Sequence, residues 1–181
     1  MADDAAAVAD QLVHWLKKQF PDANDLRIDH MGKPGGGFSN ETWLLDLNWT
    51  RNGLTETRPL VLRLEPTGEG TYPDYDLSLQ YRCMQLLQGT GVPVPEVLIA
   101  GDDLTLYGVP FYLMERVEGV APVENPPYHQ SGWLKDMSAP EQSQVWQGCL
   151  DVLVKLAKVD WRALGFGFLD QPQLGATPLA Q

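Results

Sequence analysis

The stretch "GKPGGGFSNETWLLDL", Gly32–Leu47, sets three consecutive glycines between two segments with the apolar alternation of strands. Glycine loses more backbone freedom on ordering than any other residue, so a triplet beside a core element is costly. A fold keeps it there when the main chain must do something that a side chain would block. Two readings follow from the residues: a slack hairpin tip, or a loop that closes tightly over a ligand.

The strand after the glycines is "ETWLLDLNW" (41–49), and "LRIDHM" (26–31) is the strand before them. Asn52-Gly53 is a hairpin-turn dipeptide, which makes "LVLRL" (60–64) a third strand, antiparallel to the second. A helix follows in "DLSLQYRCMQLLQGTG", with Asp76 near its start, Gly89 and Gly91 near its end, and Leu79, Cys83, Leu86 and Leu87 on one apolar flank. "VPVPEVLIAGDD" and "YGVPFYLMERVEG" each hold a short strand, spaced as adjacent antiparallel partners. Ahead of all this, Val8, Leu12, Trp15, Leu16 and Phe20 recur at helical spacing, and Pro21 ends that helix. Residues 118–133, rich in Pro, Gly and Asn, form a connector. After Pro140 a long helix takes its apolar positions from Val145, Cys149, Val152, Val154 and Leu156.

These elements predict an α+β chain: residues 1–117 as a five-stranded antiparallel sheet with helices, and 118–181 as a connector and the first helices of an α-helical lobe. One helix after a connector cannot build a core, so the expectation is the front portion of a longer chain. The 181 residues are 44% hydrophobic and 20% charged, an ordinary globular balance. Net charge is −11 with scattered basic residues, which argues against a nucleic-acid surface. No run approaches a membrane span, and the acidic start is unlike a leader peptide. Cys83 and Cys149 have no paired spacing and read as buried thiols of a cytoplasmic protein. The tryptophans at 43, 49, 133, 146 and 161 read as packing residues.

A glycine loop joining two antiparallel strands differs from a Rossmann turn or a Walker loop, both of which pass from strand into helix. The alternation in "ETWLLDL" therefore disfavours a flavin or NAD domain, and no G-x-x-x-x-G-K-[ST] is present. The kinase type remains, a β-hairpin folding over a triphosphate. Gly35-x-Gly37 begins that pattern, but Asn40 stands where its third glycine would be. Strand three then carries one cation, Arg63, on the face opposite Leu62 and Leu64, where a kinase holds the α- and β-phosphates. A helix follows at the right distance to support it. "PFYLMERVEG" next runs from a strand into a linker, the place for a hinge that pairs its backbone with adenine.

With these features in this order, the sequence resembles the aminoglycoside phosphotransferase-like kinases. Within them it is similar to the branch that includes the kinase-like domain fused to some acyl-CoA dehydrogenases. The matching stretches are "GGGFSNETWLL", "LVLRLEP", "YRCMQLLQGTGVPVPEVL", "GVPFYLMERVEGV" and "VDWRALGFGFLD", spanning about Met31 to Asp170.

The resemblance implies a bilobal protein kinase-like fold that uses ATP and Mg²⁺ to phosphorylate a hydroxyl of a small molecule. By the same likeness Gly35, Gly36, Gly37, Phe38, Ser39 and Asn40 cover the phosphates, and Arg63 grips them, its planar fork replacing the more usual lysine. Glu115 to Val117 form the hinge, and Met114 lines the adenine pocket. Gln80 occupies the helix position of the glutamate that would pair with the cation, and Ala157 stands where the family often has histidine. The family's His-Gly-Asp segment, with its base and magnesium ligands, has no counterpart in the chain. No catalytic or metal residue is therefore assigned. His14, His30, His129, Asp102, Asp103 and Asp160 sit in other contexts. The alternative expectation is a non-catalytic nucleotide-binding pseudokinase or scaffolding module. Tyr72, Pro73, Asp74 and Tyr75 read either as a mobile lid or as a plain surface loop.

Overall fold

The structure, a computed structural model, describes residues 2–34, 41–66, 76–101, 104, 106–122 and 124–170. In chain order these form α1 (Ala2–Gln19), β1 (Asn24–Gly32), β2 (Glu41–Arg51), β3 (Leu54–Leu64), α2 (Leu77–Leu87), β4 (Val97–Gly101), β5 (Phe111–Glu115), α3 (Trp133–Asp136), α4 (Ala139–Ala157) and a 3₁₀ turn at Phe166–Leu169. Two units are defined by their internal contacts: Met1–Gln85 with Pro95–Val117, and Leu86–Val94 with Glu118–Gln181.

The first unit is built on a five-stranded sheet in the order β1-β2-β3-β5-β4, antiparallel at every pairing. The β2–β3 hairpin is its spine, paired without a slip from Arg51↔Leu54 to Glu41↔Leu64. Asn52 and Gly53 both take positive φ (52° and 77°), which a two-residue turn matching the strand twist requires. β1, on the edge, has two register shifts and left-handed residues at Asp25 and His30. Such irregularities blunt an exposed strand against unwanted pairing.

Alternation along the strands sorts side chains between two faces. Trp43, Leu45, Leu47 and Trp49 of β2 share one face with Leu60, Leu62 and Leu64 of β3 and Phe111 and Leu113 of β5. The amphipathic α1 closes it with Leu12, Trp15 and Leu16. Trp15 and Tyr107 both meet the Phe111 ring edge-on, at 5.0 and 5.2 Å. The Tyr107 hydroxyl donates to the Val8 carbonyl of α1 at 3.0 Å, and burial pushes its pKa far up. A smaller cluster on the opposite face joins Leu77, Tyr81 and Met84 of α2 to Val97, Ala100, Tyr112 and Met114.

That cluster corrects the reading of α2. Leu77 and Tyr81 are the buried residues, whereas Leu79, Cys83, Leu86 and Leu87 are half-buried. The helix carries two overlapping apolar stripes, and the aromatic surface of Tyr112 selects the one containing Tyr81 (ring centroids 5.9 Å apart). Asp76 caps the helix as expected, accepting from the Ser78 amide at 2.9 Å.

In the second unit α4 opens with a capping box, Ser138 and Glu141 satisfying each other's end of the first turn. Val145 and Val152 of its expected apolar set are half-buried, but Cys149, Val154 and Leu156 are exposed. An apolar stripe is buried only where another element covers it, and among the described residues nothing encloses that flank. For the same reason Cys149 is not the buried thiol expected, although both cysteines are free. The tryptophans divide likewise: Trp43 and Trp49 lie in the core, while Trp146 and Trp161 are exposed. Among the described residues, no helix is long and apolar enough to cross a membrane.

Candidate functional site

On the face opposite α1, cross-strand register arranges side chains in rungs. Leu44 of β2, Val61 of β3 and Met114 of β5 lie directly opposite one another and form an apolar rung. The neighbouring rung is polar: Thr42, Arg63 and Tyr112. Two residues along a strand separate the rungs, roughly 7 Å. Beyond the apolar rung β5 runs out at Glu115 into Arg116 and Val117. Beyond the polar rung, β2 begins immediately after the segment 35–40.

Arg63 points to this face, as its position between Leu62 and Leu64 predicts. It is not directed into bulk solvent: the guanidinium Nε has no appreciable accessible surface. Tyr112, 1% exposed, lies directly opposite it across the β3–β5 ladder, near enough for the guanidinium to act on its hydroxyl. The Tyr112 hydroxyl donates to Gln80 Oε1 of α2 at 3.3 Å. Burial raises the Tyr112 pKa, and the Arg63 charge and hydrogen bond work against that rise. The structure thus brings Arg63 and Gln80 together through a residue that sequence reasoning did not select. An aromatic in "PFYLME" reads as core; only the register Arg63↔Tyr112 shows where its hydroxyl falls.

The segment Glu115–Val117 is held from both sides. The Glu115 amide donates to the Glu96 carbonyl at 2.8 Å, and the Arg116 amide donates to the Pro59 carbonyl at 3.0 Å. Arg116 reaches across the face to Asp46 Oδ1 of β2 at 3.0 Å, with both side chains less than a third exposed. Arg58 pairs with Glu96 at 2.9 Å. Val117 is the first residue past these anchors and is 66% exposed. Glu65, just after β3, accepts from the Leu77 amide at 3.4 Å and ties the start of α2 to the sheet.

Gly35, Gly36, Gly37, Phe38, Ser39 and Asn40 lie outside the described residues, as do Tyr72–Tyr75, Asp102 and Asp103. Asp160 accepts from the Ala163 amide at 3.1 Å, a turn-capping role. Among the described residues no three His, Cys, Asp or Glu side chains converge as a metal site. An apolar depression of about 480 Å³ in the second unit, lined by Leu156, Ala157, Trp161 and Phe166 among others, contains none of the residues assigned to the nucleotide from sequence.

The five-stranded antiparallel sheet with its packed helices is an architecture of kinase-like type, and comparison with known proteins agrees. The pattern of the phosphotransferase enzyme family matches residues 31–179, and the chain belongs to that family. It is 29% identical over 138 residues to mouse acyl-CoA dehydrogenase family member 10, an alignment covering 76% of this chain and 11% of that protein. Against chicken acyl-CoA dehydrogenase family member 11 it is 28% identical over 109 residues, 58% of this chain and 12% of the other. The chain therefore spans only about a tenth of the length of these relatives. A solved Ralstonia eutropha structure described as an aminoglycoside phosphotransferase superposes with a TM-score of 0.60 at 24% identity, over 90% of this chain and 41% of its own. At that identity the likeness establishes the fold: α+β, kinase-like, with a five-stranded antiparallel sheet.

Proposed function

We propose that the face opposite α1 holds ATP, and that the protein serves transfer of its γ-phosphoryl group to a hydroxyl of a small molecule. One observation carries the reading: the order of features along that face. From the Glu115–Val117 end come first the apolar rung of Leu44, Val61 and Met114, then the polar rung of Thr42, Arg63 and Tyr112, then Glu41, the first residue of β2, which follows the glycines in the sequence. A nucleoside triphosphate laid base-first against that order meets a flat apolar surface and exposed backbone under adenine. Its phosphates meet a guanidinium. Arginine binds phosphate through paired N–H donors, and a half-enclosed setting strengthens each bond.

In this reading Gly35–Asn40 cover the phosphates, where glycine lets backbone N–H groups approach oxygens that a Cβ would hold off. Val117 offers main-chain hydrogen bonds to adenine beyond the anchored amides of Glu115 and Arg116. Catalysis in such a site is mostly positioning and charge stabilisation. Magnesium, when bound with ATP, would neutralise phosphate charge; its ligands and the base for the acceptor hydroxyl are not assigned to this chain. A second reading, nucleotide binding without catalysis, is favoured by Gln80, which brings no charge to Arg63.

Calorimetric titration of the 181-residue chain with ATP and with adenosine tests the proposal. The expected result is saturable ATP binding that Arg63→Ala weakens on the order of tenfold or more, with adenosine little affected. Absence of ATP binding by the native chain, or equal affinity in both proteins, overturns it.

A further inference from the structure

Arg63 sits opposite Tyr112 across the β3–β5 ladder, and Gln80 approaches the same hydroxyl from α2. A phenol has one proton to give and lone pairs to accept with, whereas guanidinium only donates. A relay through this hydroxyl therefore has one direction: Tyr112 O–H donates to Gln80 Oε1, which leaves the Tyr112 oxygen to accept from the Arg63 guanidinium opposite it. Tyr112 is itself fixed, being 1% exposed with its ring against Tyr81. A guanidinium on a long flexible stem keeps its aim only if something rigid holds one of its donors, and a buried ring on the neighbouring strand is such a group.

We infer that Tyr112 is the positioning residue for Arg63. Its hydroxyl, clamped by Gln80, fixes the guanidinium so that the remaining donors face an anion on the polar rung. It supplies through a neutral relay the orientation that a carboxylate on α2 would supply by charge. The inference rests on the ATP reading above and deepens it at one residue. Tyr112 itself touches no phosphate; its effect passes through Arg63.

A double-mutant cycle separates the two claims. ATP and adenosine are titrated into the native chain, Tyr112→Phe, Arg63→Ala and the double variant, with thermal melting of each. Tyr112→Phe is expected to weaken ATP binding about fivefold while leaving adenosine within about twofold, and to add nothing once Arg63 is gone. Gln80→Ala, which loosens the relay without entering the sheet, should give a smaller loss of the same selectivity, about twofold to threefold. It decides the matter if Tyr112→Phe does not fold. Native-like ATP affinity in Tyr112→Phe, equal losses for ATP and adenosine, or a full additional loss in the Arg63→Ala background would each overturn the inference. If Arg63→Ala loses ATP and Tyr112→Phe does not, only the positioning role falls. If the native chain and Arg63→Ala do not differ, the nucleotide reading falls and takes this one with it.

Discussion

The two faces of the sheet are made from the same three strands, often from adjacent residues, yet they are put to different uses. On the α1 side the central positions of β2, β3 and β5 are large apolar groups, and Leu45, Leu47, Leu62, Phe111 and Leu113 have no accessible surface. On the other side apolar and polar rungs alternate, and α2 packs Leu77, Tyr81 and Met84 there beside the polar Gln80. One face therefore carries the stability, since burial of apolar surface is the main favourable term in folding. The other keeps Arg63, Asp46 and Gln80 among its positions, and groups of this kind cost desolvation unless they are bonded. A sheet can hold a polar face at the ready only because its reverse is so fully packed.

If that division is right, the sharpest break comes from Phe111→Ala. The ring fills the space between Trp15, Tyr107 and the strands, so its removal should cost about 3–5 kcal/mol in denaturant unfolding. A loss below about 1 kcal/mol would mean that the α1 side is not the one that holds the unit together. Gly101→Ala probes the same packing from the other direction. A Cβ there would overlap the Phe111 ring edge well inside van der Waals contact, and overpacking of this kind costs about 1–3 kcal/mol. Arg63→Ala should cost on the order of 1 kcal/mol or less by the same unfolding measurement, its effect appearing instead in ATP affinity.

The legibility of the two faces differed for a physical reason. β2 and β3 could be read because one face is unbroken: Trp43, Leu45, Leu47 and Trp49, then Leu60, Leu62 and Leu64, have a period that no helix shares. Asn52-Gly53 fixed their pairing, and with it the face of Arg63. Tyr112 was not legible, because its role depends on lying opposite Arg63, a register between strands 49 residues apart in the chain. The buried stripe of α2 was misread because Leu79, Cys83 and Leu86 are as apolar as Leu77, Tyr81 and Met84, so only the partner decides. The exposed Cys149 and Trp146 make the same point: an apolar period states which side seeks cover, not what provides it.

Asp46 and Arg116 sharpen the comparison at intermediate scale. Their 3.0 Å pair crosses the open face and ties the exit of β5 to β2. Because both groups keep some contact with solvent, the coupling in a cycle of Asp46→Asn and Arg116→Lys should be on the order of 1 kcal/mol. It should nevertheless register in ATP affinity, since the pair sets where the main chain at Glu115–Val117 stands. Stability coupling with no change in affinity would confine the pair to a structural role.

The smallest effect belongs to Asp22, at the margin of the packed face where α1 turns into β1. Arg51 donates to its carboxylate at 2.7 Å while lying 5.0 Å over the Phe20 ring, and that hydrogen bond holds the Asp22 pKa below its usual value. A carboxylate depressed in the folded state contributes stability above its unfolded pKa and loses it as pH falls through the folded one. The contribution is therefore whole at pH 7 and fades below about pH 4, the ordinary aspartate range. Both partners are well exposed, so it should be small and should shrink further with salt. Melting curves of the native chain and Asp22→Asn should be slightly apart at pH 7 and converge in acid. A gap that widens in acid would reverse the sign, and would place the cohesion of this corner in the stacking of Arg51 on Phe20 rather than in its charge.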